Sequence, residues 1–204
     1  MTGLVTTAIA YLLGSIPFGY LIVRWQKGID VRSTGSGSIG ATNVMRNLGP
    51  AGFVATFALD CGKGAAAVLL ASRWTENDPR WVGAAAVAAI FGHCFPLWLK
   101  FRGGKGVATA IGVYVLLTPA AVGAWLVVFG IMLGLWRFVS LGSITASAVF
   151  PALVYFLDQP PGAIALASAA SAVIVIGKHH SNIRRLLAGT ESRIGSQKSG
   201  VRSQ

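Results

Sequence analysis

The chain has 204 residues, 54% of them hydrophobic and 11% charged, with a formal charge of +11 and a mean hydropathy of +0.66. Soluble domains carry about a quarter charged residues, and a soluble fold of this length has no interior for so much apolar surface. The basic excess alone would fit a nucleic-acid partner, but the cations stand between long apolar runs, as in membrane loops, which excludes that reading.

Residues 1–23, 81–99, 107–136, 138–157 and 159–177 contain no Asp, Glu, Lys or Arg. Runs of about 18 or more such residues read as membrane helices. In chain order the expected spans are 3–25, 50–72, 81–99, 106–118, 119–136, 138–157 and 162–177. The first has no basic segment before it and reads as a retained helix, not a cleaved signal peptide. The run 107–136 divides at Thr118-Pro119, because proline ends the helix before it. That division places Arg24, Lys27, Arg32, Arg46, Lys100, Arg102, Lys105, Arg137 and the basic C-terminal segment on one side. The other side keeps Arg73 and Arg80 beside Glu76 and Asp78, plus Asp158. Six crossings would carry the basic C-terminal segment outside, against the positive-inside rule. The expected fold is therefore an all-α integral membrane protein with seven transmembrane helices, N-terminus outside and C-terminus cytoplasmic. Residues 1–191 form a single domain, and 192–204 a basic tail whose composition predicts disorder. The fourth span is short and is expected inside the bundle, where protein rather than lipid surrounds it. Cys61 and Cys94 sit within apolar runs and suggest neither a disulfide nor a metal site.

Three polar stretches interrupt the hydrophobic pattern, all on the expected cytoplasmic side: residues 30–49, 92–109 and 178–191. Each combines glycine, hydroxyl or amide side chains, and Lys or Arg. Glycine lets successive N–H groups face one point as an anion nest, a following helix start adds its dipole, and the cations complement phosphate. Two pattern matches fail. Gly35-Ser36-Gly37-Ser38-Ile39-Gly40 has the dinucleotide spacing but lacks the preceding hydrophobic strand. Gly103-Gly104-Lys105-Gly106 lacks both the first glycine and the terminal Ser or Thr of a P-loop. Asp60 and Lys63 fall on one face of the second span and suit an ion pair, while Arg32, Lys100, Arg102, Arg184 and Arg185 read as topology anchors.

The three stretches resemble the signature motifs of the bacterial membrane glycerol-3-phosphate acyltransferases that use acyl phosphate as donor. Gly-Ser-Gly-x-x-Gly-Ala-Thr-Asn stands at 35–43 with Arg46 after it. Gly-His-x-x-Pro stands at 92–96 and Phe-x-Gly-Gly-Lys-Gly-Val-Ala-Thr at 101–109. His-x-x-Asn-Ile-x-Arg-Leu-Leu-x-Gly-x-Glu runs from His179 to Glu191. Ser38 departs from the asparagine more usual there. The resemblance covers essentially the whole chain. It implies transfer of an acyl chain from acyl phosphate to the 1-hydroxyl of glycerol 3-phosphate, giving lysophosphatidic acid and phosphate in phospholipid biosynthesis.

By the same resemblance, the acyl phosphate group is bound by Ser36, Thr42, Asn43, Arg46, Lys105, Ser143 and the Gly103-Gly104 backbone. Glycerol 3-phosphate is bound by His179, Asn182 and Glu191. The catalytic set is Lys105, Arg46, Ser36, Ser143 and His179, with His179 either an orienting ligand or the base, the alternative base being a substrate phosphate oxygen. No metal or cofactor is implied. The implied setting is the bacterial cytoplasmic (inner) membrane, with membrane lipid and an acyl-phosphate-producing enzyme as partners. Independently of the resemblance, a mixed-anhydride donor needs positioning and charge stabilisation more than a covalent intermediate, and no G-x-S-x-G elbow is present. The rivals are a carrier for a small organic phosphate, which lacks a visible inverted repeat; a different acyltransferase using acyl-CoA or acyl carrier protein, whose soluble-domain His-x-x-x-x-Asp signature is excluded by Trp98, Arg184 and Arg185 five residues after His93, His179 and His180; and a non-catalytic scaffold, which leaves the three clusters without a role.

Overall fold

The computed structural model describes residues 1–195; residues 196–204 of the expected tail lie outside the described residues. Among the described residues the long elements are all helices: α1 Thr2–Gly14, α2 Phe18–Lys27, α3 Ala41–Trp74, α4 Pro79–Cys94, α5 Val107–Leu117, α6 Pro119–Trp136, α7 Val139–Leu153, α8 Gly162–Lys178 and α9 His180–Leu187. Its hydrophobicity is turned outward. Leu4, Val54, Leu69, Val127, Ile131, Leu135, Leu166 and Val173 are all exposed, which suits hydrocarbon rather than water.

Among the described residues, five segments are long and apolar enough to cross a membrane: Thr2–Lys27, Ala41–Trp74, Pro79–Leu99, Pro119–Trp136 and Val139–Asp158. A sixth arises if α8 and α9, bent by 55° at their junction, count as one. The remaining expected crossing is α5, with 11 residues. At about 1.5 Å per residue it falls well short of a hydrocarbon core of about 30 Å. Its Thr109, Gly112, Val113 and Tyr114 are buried, while Val115 and Leu116 remain exposed. One face of the short helix is thus enclosed by protein, as expected, and the other is not.

Breaks fall where proline and glycine dictate. Pro17 separates α1 from α2. Gly49, at φ 70° and ψ −165°, ends the first two turns of α3, and Pro50 starts the long part. Thr118 and Pro119 divide α5 from α6 as expected. Close helix contacts use residues without bulk: a Cβ on Gly14 would overlap the Ala89 backbone, and one on Gly112 would overlap the Cys61 backbone. Small residues of this kind let membrane helices approach through their backbones. The first residues of the expected tail dock: Ile194 donates its N–H to the Arg137 carbonyl at 2.8 Å, and the Arg137 guanidinium donates to the Ile194 carbonyl at 3.0 Å.

Candidate active site

The first polar stretch is shaped by one buried side chain. Asn43, 1% exposed, donates from Nδ2 to the carbonyls of Val31 (2.9 Å), Thr34 (3.1 Å) and Ser38 (2.8 Å). Its Oδ1 accepts the Ser36 N–H at 3.0 Å. Gly35 has φ 57°, and a Cβ there would overlap Asn43 Oδ1. The loop is therefore wrapped around Asn43, whose amide has no capacity left for a phosphate. Asn47 adds a bond to Thr34 Oγ1 at 3.0 Å. Ser36 is half-buried, and Thr42 and Arg46 are exposed at the start of α3.

The second stretch departs from expectation more sharply. The Gly103 N–H donates to the Cys94 carbonyl at 3.3 Å and the Gly104 N–H to the His93 carbonyl at 3.0 Å. Neither faces outward as an anion nest. Their lack of side chains has another cause: a Cβ on Gly103 would overlap the His93 carbonyl and Pro96, and one on Gly104 would overlap the His93 imidazole. The glycines let the loop lie flat on the end of α4 and deliver Lys105 beyond it. Arg32, expected as a topology anchor, pairs with Asp30 at 2.7 Å and donates to the Leu99 carbonyl at 3.3 Å. It ties the first stretch to the second.

The third stretch is organised by Glu191. Its Oε1 accepts from Ser140 Oγ at 2.7 Å and Asn182 Nδ2 at 2.6 Å, and its Oε2 accepts from Arg185 Nε at 2.6 Å. Burial opposes ionisation of Glu191, but the three donors outweigh it and hold the carboxyl below its usual range. Glu191 is thus a clamp between α7 and α9, with both oxygens engaged, rather than a free ligand. Asn182 is buried, and its Oδ1 has no hydrogen-bond partner among the described residues. His179, 2% exposed, approaches the Val175 carbonyl through Nδ1 at 2.7 Å. Ser143, 3% exposed, lies three residues beyond Ser140 on α7 and so shares its face.

The charges of Glu191, Arg185 and Arg46 bear on Lys105. Burial draws its pKa down to about 8; Glu191 opposes the shift, and the neighbouring charges of Arg185 and Arg46 add to it. His179 is drawn down to about 4 by burial and by the charge of Lys105, against the pull of Val175 and Glu191. Residues from α3, the 103–106 loop, the α8–α9 junction and the segment after α9 are therefore within electrostatic reach of one another. Sequence reasoning missed Arg185 and Ser140. Arg185 was legible: His179, Asn182 and Arg185 recur every three residues, the spacing of one helix face. Ser140 had no such signal, because its partner is 51 residues away.

Residues 4–189 match the model of the family described as glycerol-3-phosphate acyltransferase. The chain belongs to that family. The glycerol-3-phosphate acyltransferase of Syntrophotalea carbinolica is 49% identical over 90% of this chain and 93% of its own length. Among solved structures, PlsY (YgiH), an integral membrane glycerol 3-phosphate acyltransferase, has been crystallised in a glycerol 3-phosphate form. That form is 38% identical, covers 96% of both chains and superposes with a TM-score of 0.89. Its lysophosphatidic acid form is 39% identical, with the same coverage and a TM-score of 0.86. Membership makes this chain a multi-pass bacterial membrane acyltransferase of phospholipid biosynthesis.

Proposed function

We propose that the chain transfers a fatty acyl group from acyl phosphate to the 1-hydroxyl of glycerol 3-phosphate, at the cytoplasmic face of the bacterial inner membrane. What supports this reading is that Arg46, Arg185 and Glu191, from separate stretches, are near enough for their charges to bear on the Lys105 ammonium, and Lys105 near enough to bear on the His179 ring. Two phosphate-bearing substrates require two anion sites side by side, and concentrated cations on small-residue loops suit that need.

In the proposed reaction the 1-hydroxyl oxygen attacks the acyl carbonyl carbon, the bond from that carbon to the phosphate oxygen breaks, and inorganic phosphate leaves. The hydroxyl proton passes to a phosphate oxygen of the departing group. Lys105 and Arg46 neutralise the donor phosphate, with Ser36, Thr42 and Ser143 donating hydroxyl hydrogen bonds to it; Asn43 and the Gly103-Gly104 backbone act by shaping these loops. Arg185 and Asn182, held by Glu191, are placed to receive glycerol 3-phosphate. His179 binds and orients the acceptor. Because the Val175 carbonyl can only accept, His179 Nδ1 carries the proton and Nε2 is left as an acceptor for a glycerol hydroxyl other than the attacking one, which orients the acceptor without taking the reacting proton. A group titrating at about 4 is a weak base near neutrality, which favours the substrate phosphate as proton acceptor.

Val107, Ile111, Tyr114, Trp125 and Phe150 line an apolar cavity between α5, α6, α7 and α8. Val175, which also lines it, is one turn from His179, so this apolar space begins next to the reacting groups, where the start of the acyl chain would lie. Seven crossings follow if α5 and α8 each count as one, and they gather all three polar stretches on the cytoplasmic side. Sealed inverted vesicles test the whole reading: acyl phosphate and glycerol 3-phosphate added outside should release phosphate, and right-side-out vesicles should not. Turnover in right-side-out vesicles alone would refute the orientation.

A further inference from the structure

Beneath the site, within the membrane-spanning part of the bundle, lies a charged cluster that the acyl-transfer chemistry does not use. Asp60 and Lys63 stand three residues apart on α3, with side chains 2% and 1% exposed, and pair at 2.7 Å. The Lys63 ammonium also donates to the Ile16 carbonyl at the α1–α2 break, 2.7 Å away. From α4, His93 Nδ1 approaches Asp60 Oδ1 at 3.5 Å. Ionised groups are costly in such surroundings, and apolar residues pack helices together at least as well. Helix association alone does not account for this cluster.

Its upper boundary supplies a reason. The ring of His93 has Asp60 on its Nδ1 side. Gly104 presses against Nε2 so closely that a Cβ would overlap it. The His93 carbonyl holds the Gly104 N–H at 3.0 Å, and the next residue is Lys105. Asp60 therefore meets the imidazole that forms the floor of the lysine-bearing loop, and Lys63 anchors Asp60 to two other helices. We propose that Asp60, Lys63 and His93 are a buried positioning unit that sets the height and angle of the Gly103–Lys105 loop, and through it the Lys105 ammonium. The inference rests on the catalytic reading of Lys105 given above.

Three substitutions at His93 test it. In His93→Asn the amide nitrogen takes the place of Nδ1 and still faces Asp60. In His93→Gln it reaches only to the place of Nε2, and His93→Leu keeps bulk without a donor. Acyl transfer to glycerol 3-phosphate is measured on purified protein with whichever donor, acyl phosphate or acyl thioester, turns over the unmodified chain, with kcat and KM separated across pH. His93→Leu should lose at least about tenfold in kcat. Its basic limb should also move from the parent value, because Lys105 shifts relative to Glu191, Arg185 and Arg46. His93→Asn should stay within about threefold of the parent and keep the limb in place. A folded His93→Leu protein with parental kcat and an unmoved limb would overturn the inference. If that variant does not fold, His93→Asn decides, and a kcat as low as that of His93→Gln would overturn it. Turnover with thioester alone would sink the donor reading while leaving this comparison intact.

Discussion

The Nδ1 hydrogen of His179 is held by the carbonyl oxygen of Val175 at 2.7 Å. The imidazole is thereby fixed in one tautomer, with its second nitrogen available to accept. Burial and the nearby Lys105 charge lower its pKa to about 4, so the ring is neutral above that value. His179 should therefore add no inflection to kcat/KM near the ordinary histidine value of about 6.5: between about pH 5 and 7 the only step expected is that of the phosphate of glycerol 3-phosphate itself, at about 6, and it should be unmoved in His179→Gln. His179→Gln, which offers an acceptor oxygen near the Nε2 position, should retain more activity than His179→Ala.

Lys105 gives the opposite limb. With a pKa of about 8, the free protein carries the ammonium below that pH and loses it above. Its contribution to kcat/KM should fall as pH rises through about 8 and stay level below it. Bound phosphate favours the charged amine, so the same limb in kcat should lie at higher pH. Lys105→Ala should lower kcat by about 10²- to 10³-fold, the scale of losing one charge-stabilising donor, with a thermal transition close to that of the parent.

The Glu191 clamp has a pH signature in stability. Its folded pKa is depressed, so its contribution is fully present above the ordinary glutamate value of about 4.3 and disappears as pH falls through the lower folded value. The gap in thermal midpoint between parent and Glu191→Gln should be open at neutral pH and close in acid. Because the clamp also orients Arg185 and Asn182, Glu191→Gln should raise the KM for glycerol 3-phosphate more than it lowers kcat.

Asn43→Ala removes four hydrogen bonds to the 31–38 loop; the Val31 and Thr34 carbonyls keep other donors, but the Ser36 N–H and the Ser38 carbonyl lose the partner that holds them. Each such loss costs about 1 kcal/mol or more, enough to release the loop. The variant should be inactive although Asn43 touches no substrate. Asn43→Asp, which keeps the Ser36 acceptor and loses the donors, should be nearly as damaged. Proteolysis within 31–38 would report the loosened loop.

What the sequence disclosed depended on whether the governing interaction was local. Pro50 and Pro119 mark their breaks by backbone chemistry alone, and both were legible. The Asp60–Lys63 pair was legible as well, because three residues on a helix share a face. The partners of the Gly103 and Gly104 N–H groups, the carbonyls of Cys94 and His93, were not legible, because they sit across a loop that local composition does not trace. The four loop partners of Asn43 were hidden in the same way. The 55° bend between α8 and α9 has only Gly177, inside an otherwise apolar run, to announce it, and a single helical glycine does not fix a direction.

The measurement that bears most directly on the account uses purified protein in detergent, with glycerol 3-phosphate as acceptor and acyl phosphate, acyl-CoA or acyl carrier protein as alternative donors of the same chain. Acyl phosphate alone should support turnover, with inorganic phosphate and lysophosphatidic acid formed one for one. Turnover with a thioester and none with acyl phosphate would contradict it.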